Sequence, residues 1–200
     1  SNLERLALQL DTWLQVAALY DAEVERLAAE PERVVEVALR SAQIFEVQLD
    51  DIHGAIIRYR RVAEVDPEHP SAIRALDRLY VQTERWTDLV PVLQKETDVA
   101  DTPDEILELK FRLGQGYQHR LNDLDAAIAT YRDILGAAPD HEQTLGATEA
   151  LFASGKKPVD LSEILEPIYR QSGQWDKVVT VHEAQLGAEG DPAARLVFYH

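Results

Sequence analysis

The residues able to do chemistry are few. Gly114-Gln-Gly116-Tyr-Gln-His119 begins like a glycine-rich nucleotide loop. It lacks the third glycine and no strand pattern precedes it, so a phosphate cradle is not expected and helix packing accounts for it better. His141-Glu142 and His182-Glu183 open like the zinc-protease motif, yet Leu145 and Leu186 stand where its second histidine belongs. His69 and His141 recur at equivalent turns after a proline, which points to starting a helix rather than to binding metal. Asp50-Asp51 reads as a helix cap, not a catalytic carboxylate pair. With no cysteine there is no thiolate ligand or thiol nucleophile, and no Ser, His and Asp pattern stands out. No catalytic, metal or cofactor site is expected, and the chain reads as a non-enzyme.

The elements that position these residues are helices throughout. Apolar residues recur at three- and four-residue spacing, as in Val34, Val37, Ala38, Phe45 and Leu49, or Ile106, Leu109, Leu113, Tyr117 and Leu121. Thr102-Pro103-Asp104-Glu105 combines an N-cap, a first-turn proline and a capping-box glutamate. Asp140, Asp160 and Asp191 read as caps by the same logic. The pattern predicts helices over 3–9, 13–28, 32–48, 51–64, 71–83, 87–99, 104–121, 123–137, 142–153, 161–172, 175–187 and 192–200. Their short connections make successive helices antiparallel neighbours.

The chain also repeats itself. A shift of 72 residues carries Ala55-Ile56 onto Ala127-Ile128, Tyr59-Arg60 onto Tyr131-Arg132, and Pro67 onto Pro139. The same shift takes Phe45 to Tyr117, Leu49 to Leu121, Asp51 to Asp123 and His69 to His141. A shift of 73 takes Leu6, Gln9 and Trp13 to Leu79, Gln82 and Trp86, whereas Trp86 and Pro103 reach Trp175 and Pro192 only at 89. The longer third period implies one additional helix near 154–170. The periods read as 1–67, 68–139 and 140–200, a single solenoid in which each helix pair buries its apolar face on the next. The absent methionine, the Ser1-Asn2 start and the broken final repeat suggest a piece of a longer array.

These residues resemble the tetratricopeptide repeats. Leu113-Gly114-x-x-Tyr117, Ala127-x-x-x-Tyr131 and Pro139 match that pattern with one extra residue between the helices. The stretch 32–67 follows it through Leu39, Phe45, Ala55, Tyr59 and Pro67, with Ala42 in place of the glycine. In 71–103 the match runs through Leu76, Tyr80 and Leu89, and in 164–186 through Leu165, Tyr169 and Val178. Trp13, Trp86 and Trp175 start second helices, where an indole is expected to cover the turn. The resemblance implies an all-α, right-handed superhelical solenoid of about twelve antiparallel helices; a HEAT-like array is the structural rival. It also implies a concave groove lined by first helices, here Glu36, Gln43, Glu46, Glu108, Gln115, Gln118 and His119. Such a groove holds a peptide or a helix of a partner, without catalysis.

Charge narrows the partner. There are 36 acidic against 20 basic residues, a formal charge of −16. That field opposes phosphate-backbone binding, and Arg58, Arg60 and Arg61 are too few to reverse it. A basic or amphipathic protein segment is the expected partner. No apolar run is long enough for membrane insertion, and the cytoplasm is favoured, with targeting signals, if any, expected outside this sequence. Oligomeric state is left open. A purely structural spacer, or a regulatory domain tethered to an enzyme, are the competing roles.

Overall fold

Turns between helices are set by single residues with a left-handed backbone. Asp11, Glu84 and Gly173, with φ of 52°, 54° and 70°, each stand two residues before a tryptophan that begins a helix. Asp50 and Asn122, at 51° and 53°, each precede an aspartate that caps the next helix. Only glycine adopts this conformation without a steric penalty, so the four non-glycine positions are held by the packing on either side.

The computed structural model describes residues 2–189, which form eleven α-helices and no strand. The chain divides into two compact units, Ser1–Asp101 and Thr102–His200. In the first, α1 (Asn2–Leu10) pairs with α2 (Trp13–Arg26), α3 (Pro31–Gln43) with α4 (Ile52–Val65), and α5 (Pro70–Gln82) with α6 (Trp86–Val99). These hairpins stack through α2 on α3 and α4 on α5. The second unit holds the hairpin α7 (Pro103–Gly116) and α8 (Leu124–Ala137), then α9 (Glu142–Ala153), α10 (Pro158–Gln171) and α11 (Trp175–Glu189). The additional helix of the third period is α10. It packs on α9 and α11 and also reaches back to α8. The expected twelfth helix, 192–200, and its Asp191 cap lie outside the described residues.

The extra residue in two of the hairpins has a definite place. α3 and α7 end in one π-helical turn each, Ile44–Gln48 and Tyr117–Leu121, 73 residues apart at their first residues and 73 at their last. In each, a wider i→i+5 bond replaces the α-helical one: Leu49 N–H donates to Ile44 O, and Asn122 N–H to Tyr117 O. The chain then enters Asp51 or Asp123, whose carboxylate accepts from Gly54 N or Ala126 N. Thr102 likewise caps α7 by accepting from Glu105 N.

Close packing follows the small residues. A Cβ on Gly114 would stand 2.4 Å from Cε1 of Tyr131, a fully buried ring. Ala127, Tyr131 and Ile134 form the centre of the α7–α8 hairpin, and Ile128, Leu135, Leu151, Leu161 and Ile164 join α8, α9 and α10. In the first unit a charged bolt crosses the core. Arg58 of α4 donates to both carboxylate oxygens of Asp21 on α2, to Ser41 Oγ on α3 at 3.0 Å, and to Gly54 O at 2.9 Å. Its guanidinium lies 3.4 Å above the Phe45 ring. Arg58 is thus a clasp of three helices rather than part of a basic surface patch.

Three local expectations fail for physical reasons. The cap of α9 is His141, not Asp140: its Nδ1 accepts from Thr144 N. α10 starts at Pro158 rather than near 161, because proline is preorganised for a first helical turn, and Asp160 falls inside that turn. Trp13 and Trp86 are half-buried, but Trp175 is 64% exposed and leaves its turn uncovered. That turn is closed instead by Gly173 and by Gln174 Nε2 donating to Ser172 Oγ.

Candidate functional site: the polar faces of α3 and α7

A tyrosine on a second helix organises the polar face of its hairpin. Tyr59 of α4 donates to Glu46 Oε2 at 2.8 Å, and Arg78 of α5 reaches Glu46 Oε1 at 2.5 Å. Tyr169 of α10 donates to Glu149 Oε1 of α9 at 2.7 Å, and Lys177 of α11 reaches the same oxygen at 2.8 Å. Tyr20 of α2 donates to Glu4 of α1, while its hydroxyl holds Arg40 of α3 more firmly in the charged form. Each cluster joins a carboxylate before the tyrosine to a cation after it, and so ties three successive helices.

The α7–α8 hairpin carries an uncharged version. Tyr131 donates to Gln118 Oε1 and accepts from Gln115 Nε2, both at 2.7 Å. Gln118 stands where the 72-residue shift places Glu46, and Ala150 where it places Arg78. Carboxylate and cation are absent together, so neither charge is left without its partner.

The titrating groups follow these contacts. Burial pushes the Tyr131 hydroxyl up to about 12, against the opposing effect of the Gln115 hydrogen bond. Tyr59 and Tyr169 are raised further, by burial and by the carboxylate each one meets. For Glu149, burial works to raise the pKa, but Lys177 and the Tyr169 hydroxyl outweigh it and hold the carboxyl below its usual range.

The seven residues expected to line a groove therefore divide. Glu46, Gln115 and Gln118 are engaged with tyrosines. Glu36 makes an exposed ion pair with Arg40, one turn along α3 at 2.8 Å. Gln43, Glu108 and His119 are exposed and their side chains make no polar contact among the described residues. In the first unit Gln43 and Glu46 share a cleft of about 490 Å³ with Trp13, Arg40, Val47 and Tyr59. In the second unit Glu108, Gln115, Gln118 and His119 belong to α7 and its π-helical turn. The tyrosine partnerships are hard to read from sequence, because the i, i+13 spacing of Glu46 and Tyr59 acquires meaning only once the turn is known.

Histidines with motif-like neighbours have structural partners. His141 caps α9, and His182 Nε2 lies 3.0 Å from Glu166 of α10. Among the described residues no three His, Asp or Glu side chains converge as a metal site.

Residues 163–196 match the family model of the tetratricopeptide repeat. The match identifies a tetratricopeptide repeat in that stretch. Within the described residues the match takes in most of α10 and all of α11, the hairpin that follows the additional packing on α8. Solved structures similar to this chain include one described as "Crystal structure of MamA", 16% identical, with a TM-score of 0.40 over 94% of this chain and 95% of that one. Another, "MamA MSR-1 C2", is 19% identical, with a TM-score of 0.39 over 92% of this chain and 99% of that one. No curated protein matches the chain by sequence. The tetratricopeptide repeat is a non-catalytic scaffold type that serves protein–protein interaction. No described helix is long and apolar enough to cross a membrane.

Proposed function

We propose that the chain is a protein-interaction scaffold in which the polar face of α3 in the first unit and that of α7 in the second each hold a basic or amphipathic segment of a partner. The observation that carries this reading is the division among the candidate residues. Gln43, Glu108 and His119 reach solvent with no internal partner, beside side chains held rigid by buried tyrosines. Rigid neighbours lower the entropy lost on binding, and the chain's net charge favours a cationic segment.

The test is binding of an array of basic peptides to the whole chain. Gln43→Lys and Glu108→Lys suit it, because neither removes an internal contact. Glu46→Lys does not, since it breaks the contacts to Tyr59 and Arg78. The reading expects each of the two variants to weaken the saturable binding at its own face about tenfold at low salt, while Glu64→Lys on α4 leaves binding at both faces unchanged. Binding that ignores both substitutions would refute the assignment of these faces and leave the role of a spacer.

A further inference from the structure

The additional helix opens a second surface. Where α10 crosses back to α8, a cleft of about 520 Å³ adjoins one of about 280 Å³, and the two share Pro139, Ile168 and Gln171. Leu135, Leu145 and Ile164 supply apolar walls, and Asp140 and the Arg132–Glu163 ion pair mark opposite rims.

Two residues of this cleft lack a rationale inside the chain. Gly136 sits in the last turn of α8, where glycine costs roughly 1 kcal/mol relative to alanine. A Cβ placed there meets nothing within 4 Å, so no neighbour excludes a side chain. Pro167 lies inside α10 and has no N–H for the Glu163 carbonyl one turn earlier. Both are exposed and both line the smaller cleft. One keeps the wall open and the other leaves a backbone acceptor at the rim.

The electrostatics at the Asp140 end are of one sign. The last turn of α8 contains no basic residue, and its carbonyls end at the cleft. The last turn of α10 ends there as well, at Gln171 and Ser172, and its Arg170 is paired with Glu166. Asp140 is exposed and its side chain makes no polar contact among the described residues. Two helix C-termini and a free carboxylate thus face the same space without a cation.

We propose that this cleft docks a short segment of a partner protein in which an apolar side chain stands next to a lysine or arginine. The apolar side chain enters against Leu145, Ile164 and Ile168, and the cation sits at Asp140 between the two helix ends. This surface belongs to the irregular part of the array and is separate from the faces of α3 and α7.

A random heptapeptide phage library panned on the whole chain and counter-selected on Gly136→Trp tests it. The Cβ of the introduced tryptophan meets no neighbour within 4 Å and starts its indole from the wall of the smaller cleft; an unchanged circular dichroism spectrum verifies that the fold is kept. Enrichment of peptides pairing an apolar residue with Lys or Arg is expected. In fluorescence anisotropy the selected peptide should bind Gly136→Trp and Asp140→Lys at least tenfold more weakly, and Gln43→Lys and Glu108→Lys within twofold of the unchanged chain. No enrichment, enrichment of acidic peptides, or loss of binding in the α3 and α7 variants instead would overturn the proposal. So would sedimentation of the unchanged chain as a dimer and of Gly136→Trp as a monomer, which would make a second copy the occupant.

Discussion

Arg58→Ala is the substitution that most directly tests how the first unit is held together. It removes hydrogen bonds to Asp21, Ser41 and Gly54 and the stacking on Phe45. Breaking a buried ion pair from one side costs about 3–5 kcal/mol, because the remaining charge loses its compensation. The side chain of Asp21 is 37% exposed and retains the Ser41 hydroxyl at 2.7 Å, so solvent and that donor reduce the cost to about 2 kcal/mol. Loss of the cation–π contact adds about 1 kcal/mol. The expected destabilisation is therefore about 3 kcal/mol, or about 1.5 M in urea midpoint for an m-value of about 2 kcal/mol/M. Trp175→Phe provides the background for the assay: the exposed Trp175 is removed at little cost, and emission then reports Trp13 and Trp86, both in the first unit. Arg61→Ala is the control, since its pair with Glu64 is exposed and worth under about 0.5 kcal/mol. Asp21→Ala completes a double-mutant cycle, and a coupling above about 1 kcal/mol is expected. If Arg58→Ala unfolds within 0.5 kcal/mol of Arg61→Ala, the three-helix clasp contributes nothing and the reasoning is wrong.

Other consequences are equally direct. Gly114→Ala forces a methyl against the Tyr131 ring and should cost about 1–3 kcal/mol, whereas Gly116→Ala meets open space and should be neutral or stabilising; melting curves separate the two. Ala127→Glu buries a carboxylate at a fully enclosed position beside Tyr131, and the α7–α8 hairpin should unfold as a unit, with a matching fall in ellipticity at 222 nm. The native pKa of Glu149 lies below its ordinary value, so its contribution is complete above the ordinary carboxylate pKa and is lost as the pH falls from there through the depressed native value. Glu149→Gln should flatten that acid limb in urea titrations of the second unit; an unchanged limb would remove Glu149 as its source.

Much of the fold was readable because periodicity reports burial. Leu109 and Leu113 recur at helical spacing and are buried, and Asp51, Thr102 and Asp123 cap helices through contacts only three residues long. What escaped depends on distant partners or on competing local signals. At residues 158–160 an N-terminal proline overrode an aspartate cap. At Trp175 the repeat position was right, but the indole's burial depends on neighbours the pattern does not specify. The groove residues were chosen by position on first helices, and position does not reveal that the Tyr59 and Tyr131 hydroxyls occupy Glu46, Gln115 and Gln118. Gly136 and Pro167 gave no warning either, since a glycine near a helix end and a proline within a helix acquire meaning only when the space beside them proves empty.

The two π-helical turns also separate what the copies share from what differs between them. A helix with one residue too many has several ways to absorb it, yet both copies bulge within one residue of the same step and release the chain into the equivalent aspartate cap. The bulge is thus common to both copies of the 72-residue repeat. The pairing of Glu46 with Arg78, against Gln118 with Ala150, distinguishes them. The backbone irregularity belongs to the repeat; the charges belong to one copy of it, as a pair.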